Sequence, residues 1–193
     1  MKQFATAILT ITTIICAYSG LLAQESVTIT ANAEVLQAFT IPASGTTVAG
    51  TVSFQTSNSM NFGKLQATSG AVVLNPLGTN SNAGATASLA RVAVTGAPNG
   101  QSLAISWDAN LIMSDSLDPN ANKLNVTPII AGSNSASQSS AIQLSNGDIR
   151  TAGPGGNADA GKYYLWIGGS IPELSSQATG NYTGTFNIGI AYN

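Results

Sequence analysis

The stretch Gly180-Asn-Tyr-Thr-Gly-Thr-Phe-Asn-Ile-Gly-Ile-Ala-Tyr-Asn193 decides the fold class. Tyr182, Gly184, Phe186, Ile188, Ile190 and Tyr192 share one face of an extended chain, and Thr183, Thr185, Asn187, Gly189 and Ala191 share the other. Period-2 alternation sustained over this length, rich in aromatic and β-branched residues, predicts a β-strand with one face on a core.

A second stretch has the same character. In Ser26–Val35, Val27, Ile29, Ala31, Ala33 and Val35 alternate with Thr28, Thr30, Asn32 and Glu34. Between these two runs lie shorter ones: Thr51–Phe54, Met60–Leu65, Gly70–Pro76, Ser88–Thr95, Gln101–Trp107, Lys123–Ala131 and Lys162–Gly168. Leu103, Ile105 and Trp107 read as inward, and Leu111–Ser114 as a short edge strand. Ala141–Leu144 and Ile149–Thr151 flank Asn146-Gly147, the pair that a tight type I′ hairpin favours. Pro42 ends any extension of the first strand, because it cannot donate to a ladder. About ten short strands with no helical periodicity predict an all-β antiparallel sandwich, with a closed barrel as the structural alternative.

Composition agrees. Only 7% of the 193 residues are charged, against about 25% in an ordinary domain. Ser, Thr, Asn, Gln, Gly and Ala take their place, which suits exposed sheet and long turns. The net charge of -2, with basic residues scattered singly, gives no footprint for nucleic acid or an anionic membrane.

The chain begins Met1-Lys2-Gln3, continues through an apolar run from Phe4 to Ala17, and reaches Leu21-Leu22-Ala23. That layout predicts a secretory signal peptide over 1–23, cut after Ala23, with a single domain over 24–193. An uncleaved anchor is the rival reading. Ile15 before Cys16 speaks against a lipoprotein. Cleavage removes the one cysteine, so the mature domain must hold together without a disulfide. No second apolar run approaches the roughly 20 residues of a membrane span.

Candidate chemistry is sparse. There is no histidine, the commonest general base and metal ligand. Without histidine or a mature thiol, no cofactor is expected and zinc sites are excluded. Asp108, Asp115 and Asp118 form the densest carboxylate group, each beside turn residues where Asp serves backbone hydrogen bonding. Asp118, Asn120 and Asn122 offer oxygen ligands as a calcium loop would begin, but Lys123 stands where the loop glycine belongs. Tyr164 and Trp166 share a face and form a candidate ligand platform, with a filled sandwich core as the plainer reading for such rings.

Asn61-Phe62-Gly63, Gly70–Gly78, Val94–Asn99, Leu165–Gly169 and the Gly180–Asn193 ending, in that order, resemble the bacterial secreted family known as domain of unknown function 4402. The ending is also similar to the last strand of chaperone–usher pilins and spore-coat-U-like proteins. That resemblance implies an immunoglobulin-like (pilin-like) sandwich. It also implies assembly by β-strand addition, in which the N-terminal extension of one subunit completes the sheet of the next. Candidate strand-exchange residues are then Val27, Ile29, Ala31, Ala33 and Val35 against Tyr182, Phe186, Ile188, Ile190 and Tyr192. The favoured alternative is that residues 26–41 form the first strand of a self-complete sandwich. Together these features predict an exported, non-enzymatic structural or surface-adhesion protein whose partners are copies of itself or other surface subunits. A secreted glycan- or ligand-binding β-sandwich module is the second reading.

Overall fold

The computed structural model describes residues 24–36, 59–67, 70–95, 97–174 and 177–192. The expected signal peptide and the expected strand Thr51–Phe54 lie outside them. Eleven strands form among the described residues: β1 (Gln24–Leu36), β2 (Ser59–Gln66), β3 (Val72–Leu74), β4 (Ala90–Val94), β5 (Ser102–Trp107), β6 (Leu111–Asp115), β7 (Lys123–Ser133), β8 (Ile142–Gln143), β9 (Asp148–Thr151), β10 (Tyr163–Ile171) and β11 (Gly180–Tyr192). The expected all-β sandwich is the observed architecture.

One sheet centres on β11. Its first edge carries β1, which in turn carries β2; its other edge carries β6 and then β5, side by side along its length, with β9 outside β5. The second sheet centres on β10, with β4 and β3 sharing one edge and β7 on the other, and β8 outside β7. Strand β7 joins the two sheets. Lys123–Val126 pairs with β6, whereas Thr127–Ser133 pairs with β10. Pro128 falls between the end of the β6 ladder at Val126 and the start of the β8 ladder at Ala131, where no N–H is required on that side.

Between the sheets lie Phe62, Leu103, Ile105, Leu111, Met113, Val126, Leu165, Ile167, Phe186 and Ile188, all essentially inaccessible. At about 1.5–3 kcal/mol per large side chain, this core is the main stabilising contribution in a domain expected to lack a disulfide. Tyr182 secures the start of β11. Its buried hydroxyl accepts from Gln177 Nε2 at 2.7 Å and donates to the Ala178 carbonyl at 2.9 Å. A buried tyrosine tied to backbone four residues upstream is the tyrosine-corner arrangement of immunoglobulin-like sandwiches.

Four local expectations are corrected. Strand β6 is internal, paired with both β11 and β7, because β7 needs a bridge from one sheet to the other. The Asn146-Gly147 turn does not close a hairpin: β8 pairs with β7 and β9 with β5, so the turn passes between sheets. The Asn146 side chain instead extends the β5 edge, accepting from Trp107 N at 2.9 Å and donating to Trp107 O at 2.7 Å. Trp107 itself is only partly buried at the end of its strand. Finally, the sandwich is not wholly antiparallel, because β1 runs parallel to β2.

Candidate assembly site: the slot filled by β1

Strand β1 is hydrogen-bonded on both edges. Its antiparallel register with β11 runs from Gln24↔Ala191 to Val35↔Gly180, and its parallel register with β2 from Thr30↔Ser59 to Leu36↔Gln66. A parallel neighbour in the same sheet requires a long crossover, and residues 37–58 provide the length. The chain therefore fills its own slot, as the self-complete reading anticipated for this strand.

The register brings together the two candidate sets. Val27 lies opposite Ile188, Ile29 opposite Phe186, Ala31 opposite Gly184, Ala33 opposite Tyr182 and Val35 opposite Gly180. Opposed residues of an antiparallel pair point to the same face. Ile29, Ala31, Tyr182, Phe186 and Ile188 are fully buried there and Ile190 nearly so. Tyr192 pairs through its backbone with Leu103 of β5. Small residues meet at the centre, with Ala31 facing Gly184, because β6 crowds this point. A side chain at Gly184 would place its Cβ 2.4 Å from the Ile112 carbonyl oxygen.

The β2 wall of the slot depends on a bulge. Three residue steps from Asn61 to Lys64 face two steps from Asn32 to Glu34. Gly63 absorbs the extra residue at φ 75°, and its N–H donates to Asn61 Oδ1 at 2.8 Å. The inward set on β2 thereby shifts from Met60 and Phe62 to Leu65, all buried. Asn61-Phe62-Gly63 is thus the bulge that lets a straight strand sit beside β2. Sequence reasoning singled out these residues but not the bulge, since a glycine within a short apolar run does not say which neighbour it serves. The outer edge of β2 is covered: Asn61 exchanges backbone bonds with Ser88 at 2.9 and 2.8 Å, and Gly84 N donates to Phe62 O at 2.8 Å.

On the far edge of β11, Asp108 spans the gap between β6 and β5. Its Oδ2 accepts from Asn187 N at 2.8 Å and from Asn187 Nδ2 at 3.3 Å. Asp115 is buried at the other end of β6, opposite Tyr182, and its Oδ1 accepts from Leu117 N at 3.2 Å. Asp108 and Asp115 thus meet β11 five residues apart, roughly 17 Å along a strand, too far to act as a pair. Asp118 Oδ1 accepts from Ala121 N at 3.2 Å, closing a turn before β7. Among the described residues no three His, Cys, Asp or Glu side chains gather as metal ligands.

The Tyr164–Trp166 platform is placed differently from its expectation. Trp166 is fully buried and Tyr164 is 7% exposed. The Arg91 guanidinium lies 5.1 Å from the Tyr164 ring centre and 5.8 Å from that of Trp166, and so covers both. Tyr164 donates to Asp159 Oδ1 at 2.8 Å, while Ala136 N donates to Asp159 Oδ2 at 3.1 Å, so the loops carrying Ala136 and Asp159 are tied to this face. Burial, then the Asp159 carboxylate, pushes the Tyr164 phenol up. The Tyr164 hydrogen bond and the Ala136 N–H hold the Asp159 carboxyl below its usual range. Rings held this way fill a sheet face and leave none open for stacking a sugar.

Over residues 52–192 the chain matches the family described as Domain of unknown function (DUF4402). It belongs to that family. The DUF4402 match takes in every strand from β2 to β11 and leaves out β1. No curated protein matches the sequence. Among solved structures, the chain is similar to the DaaE adhesin, at 15% identity and TM-score 0.35 over 89% of this chain and 98% of that one. It is also similar to the AfaE-3 adhesin from Escherichia coli, at 16% identity and TM-score 0.38 over 90% of this chain and 99% of that one. A third, the DraE adhesin in complex with chloramphenicol succinate, stands at 15% identity and TM-score 0.35 over 90% and 99%. Among the described residues no helix is long and apolar enough to cross a membrane.

Proposed function

We propose that this protein is an exported, non-enzymatic surface subunit whose copies assemble by exchanging β1. The observation that carries this reading is the position of β1. It fills a slot between β2 and β11, it is joined to β2 only through 37–58, and it lies outside the span matched by the family. The slot is built from DUF4402 residues and the strand that fills it is not. A neighbour's β1 would make the same ladders and bury the same Ile29 and Ala31 as the chain's own. Closed and exchanged forms then differ chiefly in the linker, whose effective concentration is on the order of millimolar. Dilute protein is expected to stay closed, and crowding at a surface to favour exchange. The signal-like residues 1–23 support export, and the scattered carboxylates and missing histidine support a role without catalysis.

A cysteine pair tests exchange in the mature full domain. Thr30 and Thr185 are directly opposed, so the double substitution Thr30→Cys and Thr185→Cys reads out which chain supplies β1. Oxidation after concentration is expected to give a covalent ladder of dimers and higher species on a non-reducing gel. Closed monomers at every concentration, with no exchange when two tagged populations are mixed, would sink the proposal.

A further inference from the structure

The sheets part at β8 and β9. Among the described residues β8 pairs only with β7 and β9 only with β5, and a cleft of about 210 Å³ opens between them. Gly132, Ser133, Ser140, Ile142, Arg150 and Tyr163 are among the residues that line it. Gly132 is needed for this shape, since a Cβ there would stand 2.6 Å from Tyr163 Cε1 and 2.9 Å from its hydroxyl oxygen.

Hydrogen-bond accounting distinguishes the walls. Ser140 Oγ donates to Ser137 O at 2.7 Å, so in its 2.9 Å contact with Ser133 Oγ it is the acceptor, and Ser133 Oγ in turn accepts from Ser135 N at 3.0 Å. Both serine donors are therefore spent within the protein. Arg150 gives one terminal nitrogen to Asp148 Oδ2 at 2.5 Å, and that same oxygen accepts from Ser145 N at 2.9 Å. Other donors are not spent: Arg150 Nε is buried without a partner, and the phenol of Tyr163, which lines the cleft, makes no hydrogen bond to the described residues. A buried donor left unmatched is costly, and the cost is recovered when an acceptor enters.

We infer that this cleft binds a small carboxylate of about monosaccharide size, its oxygens accepting from Tyr163 and Arg150 and its body resting on Ile142. Both unmatched groups are donors, one is part of a cation, and a carboxylate offers oxygens to a guanidinium fork and a phenol together. Burial pushes the Tyr163 phenol up to about 12, so it remains a donor throughout the physiological range. This site is independent of the β1 slot, which lies against the opposite edge of β11 from β5 and β9.

Isotope-labelled mature protein titrated with D-glucuronate, with D-glucose as the neutral control, tests the inference. Glucuronate is expected to give saturable amide shifts at Gly132, Ile142 and Arg150, with affinity on the order of millimolar. Tyr163→Phe removes only the hydroxyl. It is expected to weaken binding about tenfold while leaving the thermal midpoint nearly unchanged, because the hydroxyl makes no hydrogen bond within the protein. Three results would each overturn the proposal: no saturable shift (a cleft filled by water alone), equal shifts with glucose, or undiminished binding by Tyr163→Phe. None of them bears on the cysteine-pair ladder.

Discussion

Strands β11 and β10 each organise one sheet, yet they meet the rest of the molecule differently. Along β11 burial alternates: Tyr182, Phe186 and Ile188 are buried, while Thr183, Thr185 and Asn187 are exposed. Along β10, from Tyr163 to Gly169, every residue is buried. One face of β10 packs into the sandwich, and the other is roofed by Arg91 and by loops tied through Asp159. The contrast shows where each half of the domain is vulnerable. The β11 sheet depends on a strand that crosses to it from outside the family-matched span. The β10 sheet depends on packing by Arg91 and by the loops tied through Asp159.

The largest expected effect breaks the β11 side. Phe186 is fully buried opposite Ile29, so Phe186→Ala should cost about 3–5 kcal/mol. Urea unfolding measures this, and a loss under 1 kcal/mol would mean that β1 does not close over this position. An intermediate effect tests the β10 side. Burial pushes the Tyr163 phenol up to about 12 from its ordinary 10.0. The unfolded chain ionises first, so this stabilisation is complete below pH 10 and is lost as pH rises toward 12. The loss is on the order of 2 kcal/mol. Tyr164, also shifted upward, acts in the same direction. Urea midpoints taken at about pH 8 and about pH 11 should fall in that order, and Tyr163→Phe should flatten the profile. The smallest effect sharpens the contrast between outer faces. Arg91→Met uncovers Tyr164 and Trp166 and should cost about 1 kcal/mol. Thr185→Ala, on the bare outer face of β11, should stay within about 0.5 kcal/mol. Equal losses in the two variants would show that Arg91 does not roof the sheet.

The same contrast explains what could be read in advance. Alternation in β1 and β11 was legible because solvent on one face forces polar residues into every second position. It correctly placed Ile29, Ala31, Phe186 and Ile188 on one buried face. Along β10 no such rule operates, so the sequence left Tyr164 and Trp166 open between a ligand platform and the plainer filled core, and Arg91, distant in sequence, covers them. The Asn146-Gly147 turn misled for a related reason. Turn chemistry fixes the local reversal, but the partner of each flanking strand is decided by which sheet has a free edge. Tyr163 as a donor lining a cleft was likewise invisible, since the cleft exists only because β8 and β9 pair with different strands.

By itself, then, the sequence determined the all-β class, the two long amphipathic strands and the face each presents. Those properties are local, set by a side-chain period of two and by the chemistry of a half-solvated sheet. Only the tertiary structure decided that the two strands are neighbours, that Gly63 bulges to admit β1 beside β2, and that both faces of β10 are closed. Hydrogen-bonded edges are chemically alike along every strand. Which edges meet is therefore settled by how the whole core fills.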